Sequence, residues 1–290
     1  MNRKLIQLLF LILQNPFIGN FLTGRPHTGT TKSFCAPGLH CYSCPSMAFG
    51  CPLGVLQYVV KYARMIPYYA IGSIAAVAAF FGSATCGFVC PFGFFQEILH
   101  SISPWKNNKA VLPKGFRYIK WGILIVFVIL VPALGVAQSF CAWICPTGTI
   151  FAGLPLIGVN KGLRASIGVT FYWKIILSTL IVLYVMREKR AFCRYLCPLG
   201  LMLGFFNKIS LYQIKLNKNK CTTCKACQKS CPMGLDLPKE INSIDCIKCG
   251  DCIPSCPAEF SAISKGFTFS DRVEDPKTTL DLKHKQTSRH

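Results

Sequence analysis

The chain has 290 residues, of which 52% are hydrophobic and only 15% charged, a balance of membrane proteins rather than of soluble globular domains. Its formal charge is +21, yet up to Arg187 the only acidic residue is Glu97, so this stretch offers neither a hard-cation site nor the paired carboxylates of a hydrolase. The lysines and arginines cluster beside apolar segments, which reads as a positive-inside signature with affinity for anionic lipid, and not as nucleic-acid binding.

Met1 to Lys4 is basic, and Leu5 to Leu22 is apolar apart from Gln7, Gln14, Asn15 and Asn20. No small-x-small cleavage site follows, so a retained first helix is expected, kinked at Pro16. A loop carrying Cys35, Cys41, Cys44 and Cys51 leads to a second apolar span, Ile66 to Ala84, whose alanines and glycines permit close helix packing. Phe92 to Ser103 is too short to cross a bilayer and reads as an interfacial helix. Lys106, Lys109, Lys114, Arg117 and Lys120 form the most basic short loop, predicted to face the cytoplasm. The third span runs from Ile119 to Gln138 and the fourth from Gly168 to Met186, followed by Arg187, Lys189, Arg190 and Arg194, again on the predicted cytoplasmic side.

The last three spans each end in C-x3-C-P-x-G, at Cys86 and Cys90, Cys141 and Cys145, and Cys193 and Cys197. With the amino terminus inside, the second and fourth spans end on the same face. Cys86, Cys90, Cys193 and Cys197 then collect as four thiols, the ligand count of one [4Fe-4S] cluster; buried apolar thiols are the blander alternative. Cys35, Cys41, Cys44, Cys51, Cys141 and Cys145 collect on the opposite face, two more than a cluster needs. Disulfides are the competing reading there, and C-Y-S-C-P alone also fits a thiol redox motif. About 30 Å of hydrocarbon would separate the two faces, so a quinone, another cofactor or a re-entrant path would have to bridge them.

After Lys208 the polarity rises and C-x2-C-x2-C-x3-C-P appears twice, from Cys221 to Pro232 and from Cys246 to Pro257. This is the spacing by which bacterial ferredoxins hold two [4Fe-4S] clusters, the fourth ligand of each coming from the other run. It assigns Cys221, Cys224, Cys227 and Cys256 to one cluster, and Cys246, Cys249, Cys252 and Cys231 to the second. Structural zinc also takes C-x2-C pairs, but two complete four-cysteine runs ending in proline exceed that pattern. The expected fold is thus mainly α. About four transmembrane helices lie within residues 1–210, a bacterial-type two-cluster ferredoxin domain (α+β) at 211–262, and a polar tail at 263–290.

Glu97 and His100 lie one helical turn apart just after Cys90-Pro91, the best-placed pair to accept protons from a quinol; a surface ion pair and a solvated imidazole are the alternative. No C-x-x-C-H haem motif and no glycine-rich nucleotide loop is present, so flavin, nicotinamide or ATP chemistry would belong to a partner.

From about Gly82 to Pro257 the paired C-x3-C-P motifs and the two ferredoxin runs resemble the membrane-bound polyferredoxins of the NapH and NosR type. That resemblance implies a multi-pass protein of a prokaryotic inner membrane with its ferredoxin domain in the cytoplasm. It also implies electron transfer between the quinone pool, or an outer-face partner, and a redox enzyme or other subunits of a respiratory complex. The third motif at Cys141 and the loop from Cys35 to Cys51 go beyond the two-motif NapH pattern. An assembly factor that reduces metal ions or thiols for another complex is the alternative, marked by accessible thiols at Cys41 and Cys44. A redox sensor lacks any output domain in this sequence.

Overall fold

The structure is a computed structural model that describes residues 3–25, 27–62, 68–105, 113–136, 138–165, 167–257 and 262–267. Lys106, Lys109 and the far end of the expected tail lie outside them.

Helix α1 (Arg3–Gln14) turns the usual amphipathic pattern outside in. Gln7 and Gln14 are 2% and 3% exposed, whereas Leu5, Leu9, Ile12 and Leu13 are all more than half exposed. Leucines facing outward suit a lipid environment, and the two glutamines are tied inward by amide bonds to the carbonyls of Gly87 (2.9 Å) and Val89 (3.1 Å). Expected as one span through Leu22, the helix instead stops at Gln14, because Pro16 cannot donate to the helical ladder.

After α2 (Pro52–Tyr62) the chain repeats one unit three times. A helix leads into a five-residue helix carrying the first cysteine of C-x3-C-P; the second cysteine is extended, and its proline opens the next helix. The first copy is α3 (Tyr68–Phe81), α4 (Ala84–Phe88) and α5 (Pro91–Ile102). The second is α6 (Gly115–Ala133), α7 (Ser139–Trp143) and α8 (Pro146–Val159). The third is α9 (Val169–Arg187), α10 (Ala191–Tyr195) and α11 (Pro198–Gly204). Cys90, Cys145 and Cys197 share nearly one backbone conformation, with φ of −70°, −68° and −81° and ψ of 116°, 115° and 110°. Proline at the first helical position loses no bond there, since that N–H would be free anyway.

Of the four expected spans, α6 and α9, 19 residues each, are long and apolar enough to cross a membrane. The described part of α3 has only 14 residues. The core of this helical region is aromatic: Phe92, Phe140 and Phe192 are at most 1% exposed, and Phe92 packs edge-on against Phe192 at 5.2 Å and Phe151 at 6.3 Å.

The ferredoxin module is closed by a two-stranded antiparallel ribbon, β1 (Tyr212–Leu216) with β2 (Ile263–Phe267), in the register Tyr212↔Phe267. Both cysteine runs and helix α12 (Ala226–Ser230) lie between the strands. The module therefore extends to Phe267, past the expected boundary at 262, because Ile263 is buried and the strand completes the ribbon.

Opposite charges hold this module on the helical region. Arg117 and Lys120, from the basic loop expected to face the cytoplasm, are 7% and 3% exposed and pair with Asp245. Arg3 and Lys189 both reach Asp251, at 3.2 and 3.3 Å.

Candidate iron-sulfur sites

The eighteen cysteines are all present as thiols, and sixteen of them fall into four quartets. In the ferredoxin module each of two small cavities takes three cysteines from one run and one from the other. Cys221, Cys224, Cys227 and Cys256 line one small cavity, site A, beside Pro238 and Pro257. Cys231, Cys246, Cys249 and Cys252 line another, site B, walled by Ile214, Leu235, Leu237 and Ile247. The two runs follow one path. Thr223 and Lys225 have φ of 54° and 59°, and their counterparts Lys248 and Gly250 have 47° and 79°. Left-handed residues between the cysteines turn successive N–H groups towards one point, the nest that suits an anionic group.

Site C is built across the helical region. Cys86 and Cys90 from the first repeat meet Cys193 and Cys197 from the third around an apolar cavity with Leu39, Phe92, Leu199, Met233 and Ile247. Site D joins Cys141 and Cys145 of the second repeat to Cys41 and Cys51 of the loop. Cys41, Cys51 and Cys145 all lie within electrostatic reach of Cys141. Cys41 is close enough to Gly148, on the turn after Cys145, that a β-carbon there would sit 3.5 Å from its sulfur. Of the six thiols expected on the outer face, Cys35 and Cys44 remain outside this set, although Cys44 is still within electrostatic reach of Cys41. Cys35 lines a separate apolar cavity, and Cys44 is buried with Ser46 Oγ at 3.3 Å from its sulfur.

Burial first, and neighbouring thiolates second, push the Cys41 thiol up to about 11 and the Cys252 thiol up to about 12. In Cys193 burial again leads and raises the thiol to about 11, with Cys90 adding to it and Arg190 opposing. Four such thiols become thiolates together only when positive charge enters among them. Among the described residues no three His, Cys, Asp or Glu converge on one ion-sized point. Sites A, B and C surround small cavities instead, which fits a cube with an iron at each ligated corner better than a single zinc.

The order of the sites is short-stepped. Sites B and C share Met233 and Ile247 as walls, and a β-carbon at Gly87, beside Cys86, would lie 2.7 Å from the Ile247 carbonyl and 3.3 Å from Cys249 Cα. Glycine is required there by close approach. Leu39 donates its backbone N–H to Cys90 Sγ (3.3 Å), and Cys41 of site D is two residues on, so covalent geometry caps the distance from Cys90 Sγ to Cys41 Cα at about 12 Å. The expected separation of these two sets by a full hydrocarbon core is therefore corrected: the loop folds back onto the Cys90 side of site C.

Glu97 is not a free base. It receives Arg190 Nε at 2.6 Å and both guanidinium ends of Arg3 at 3.0 Å. Burial opposes its ionisation, but the charges of Arg190, Arg3 and Lys189 together outweigh burial and hold the carboxyl below its usual range. An anion so held is a poor proton acceptor, which argues against the expected quinol role. His100, one turn on, is partly buried with no partner at Nδ1. Arg190 itself is fully buried, donates to the Cys86 carbonyl at 2.6 Å, and lies within electrostatic reach of Cys193 and Cys249. It is the charged group at the junction of sites B and C, and sequence reading placed it among surface charges. Gln57 and Gln96 were also missed. Both are 0% exposed and donate to Cys141 Sγ (3.4 Å) and Cys193 Sγ (3.1 Å); the signal was the repeated C-P-x-G-x2-Q beginning at Cys51 and Cys90.

A chain that gathers twelve cysteines around three small cavities has the make-up of a ferredoxin-type iron-sulfur electron-transfer protein. The comparisons agree. The signature of a 4Fe-4S binding domain matches residues 69–109, 119–164 and 169–219, one match per repeat, and that of a 4Fe-4S dicluster domain matches 213–257. An uncharacterised protein of Methanocaldococcus jannaschii is 27% identical over 69% of the chain and 78% of its own length. The putative electron transport protein YccM of Escherichia coli is 25% identical over 64% of the chain and 51% of its length. The ferredoxin-type protein NapH of Haemophilus influenzae is 26% identical over 65% of the chain and 62% of its length. No solved structure matches. The chain belongs to the NapH/NosR-like 4Fe-4S polyferredoxins.

Proposed function

We propose that the protein is a membrane-embedded wire of four [4Fe-4S] clusters, ordered A, B, C, D, that relays electrons between the quinone pool and a redox enzyme docked at site A. The observation that carries this reading is the sequence of shared walls: Met233 and Ile247 between B and C, and Leu39 to Cys41 between C and D. Each cluster supplies a one-electron carrier whose potential is set by hydrogen bonds and exposure. The residues of this chain fix the cubes, exclude water from C and D, and leave Cys224 of site A exposed for a partner.

Membrane placement rests on α6 and α9 and on the outward leucines of α1. The basic residues around the ferredoxin module support an orientation with it in the cytoplasm of a prokaryotic inner membrane. The quinone reading draws on a cavity of about 1030 Å³ lined by Phe10, Leu13, Phe34, Val77, Phe81 and Phe88, next to α4 between Cys86 and Cys90. Gln14, whose Oε1 has no partner, is a polar group on its wall. The partner would be a redox enzyme of the kind served by related ferredoxin-type proteins. An assembly factor with reactive thiols is disfavoured, since Cys44 is 4% exposed and Cys41 faces Cys145.

The test is iron and acid-labile sulfide per chain after anaerobic purification in detergent, with EPR of the reduced protein. About sixteen irons are expected, at four per cluster. About eight would confine clusters to the ferredoxin module and remove the wire. Reduction by a short-chain quinol, lost in Gln14→Leu with iron unchanged, checks the cavity.

A further inference from the structure

Two segments of the chain read alike and do the same thing at different sites. Cys51-Pro-Leu-Gly-Val-Leu-Gln57 opens α2, and Cys90-Pro-Phe-Gly-Phe-Phe-Gln96 opens α5. In each, the cysteine belongs to one side of a quartet and the glutamine, six residues on, crosses to the other. Gln96 Oε1 accepts the backbone N–H of Phe192 at 3.2 Å, and Gln57 Oε1 accepts that of Phe140 at 3.0 Å. Because a backbone donor fixes the oxygen end, the amide cannot be flipped, and the NH2 end must face the other way. There it meets the next residue's sulfur, Cys193 at 3.1 Å or Cys141 at 3.4 Å, together with a carbonyl of its own helix, Phe92 at 3.4 Å or Leu53 at 3.1 Å. Both N–H donors of each amide are used, each oxygen is held by a backbone N–H, and both side chains are fully buried.

An N–H aimed at a cluster thiolate draws charge from the sulfur. It therefore favours the reduced, more negative state, and the effect is strengthened where water is excluded. The hydrogen bond at site C is the shorter of the two. Among the described residues no glutamine takes this position at sites A and B.

We propose that Gln57 and Gln96 are paired positioning residues that raise the reduction potentials of sites D and C, each acting on one cluster only, through an N–H···S bond to the first cysteine of the opposing C-x3-C-P motif. This rests on the reading of C and D as [4Fe-4S] sites.

The experiment uses the full-length protein purified anaerobically in detergent. Wild type, Gln96→Leu, Gln96→Glu, Gln57→Leu and Gln57→Glu are assayed for iron and sulfide and by EPR-monitored redox titration. Wild type at about eight irons defeats the cluster reading itself, before the glutamines are considered. With sixteen irons retained, Gln96→Leu is expected to weaken reduction of one cluster about tenfold, which is about 59 mV for one electron. Gln96→Glu keeps the oxygen that accepts from Phe192 and places an anion where the donor stood, so its shift is expected to be larger. The Gln57 variants should move a different cluster, and by less. Unchanged potentials in loaded glutamate variants, or all four clusters shifting together, overturn the proposal. If the leucine variant sheds iron, the near-isosteric glutamate variant decides; loss of four irons from both also overturns the tuning role and leaves a purely structural one.

Discussion

The ferredoxin module and the helical region solve the same problem, enclosing four thiols, with opposite use of the chain. In the module three ligands of each site lie within seven residues, and only Cys231 and Cys256 are exchanged. In the helical region each site is half one repeat and half a distant segment: Cys86 with Cys193, Cys41 with Cys141. Local sites tolerate a loose surrounding structure, whereas split sites exist only if helices α3 to α11 are held in one arrangement. In the helical region buried polar groups, among them Arg190, Gln57 and Gln96, tie these distant segments together.

The largest break in this comparison is Cys193→Ser. It should strip about four of sixteen irons while the signals of A and B persist; retention of all sixteen would refute the split assignment. Arg190→Met is next, since it leaves the Glu97 carboxylate, 5% exposed, with Arg3 as its remaining direct ion pair and only the more distant Lys189 besides. Breaking a buried pair costs about 3–5 kcal/mol, to be seen as a lowered unfolding midpoint, with charge-matched Arg190→Lys recovering part.

A third test is acid. The carboxyl of Glu97 is held below 4.5 in the folded protein. Its stabilising contribution is therefore full above the unfolded value and is lost as pH falls through the lower, folded one. The stability gap between wild type and Glu97→Gln should be constant near neutrality and close below about pH 4.5; a gap that widens on acidification would contradict the assignment. Lys189→Ala should matter less, since its pair with Asp251 is about one-third exposed on the lysine side. The expected loss is at most about 1 kcal/mol and should vanish in high salt, as checked by denaturation at two ionic strengths. Smallest of all, Cys35→Ser and Cys44→Ser should leave iron content unchanged, because neither sulfur joins a quartet.

Sites A and B were legible in the sequence because their geometry is a matter of spacing. The pairing of Cys86 and Cys90 with Cys193 and Cys197 was legible at one remove, through alternation of spans. What could not be read was which two of Cys35, Cys41, Cys44 and Cys51 complete site D, since that depends on how an irregular loop folds back on Cys90. The first apolar run misled for a related reason. Hydropathy counted its leucines, while Pro16 and the inward bonds of Gln7 and Gln14 decided its length. Glu97 misled as well, because its partner Arg190 lies 93 residues away in a stretch that composition assigns to the lipid surface.

The split quartets also set a timetable for biosynthesis. Cys86 and Cys90 leave the ribosome roughly 100 residues before Cys193, a delay of about 5–20 s at ordinary rates of chain elongation. For that interval they are unsatisfied nucleophiles in a nascent chain, while site D, whose last ligand is Cys145, gains its full set about halfway through. Iron delivery that follows emergence would fill D first, C second and the ferredoxin pair last, so a truncated chain ending near residue 190 should hold one cluster and a half-built second, exposed to oxidation.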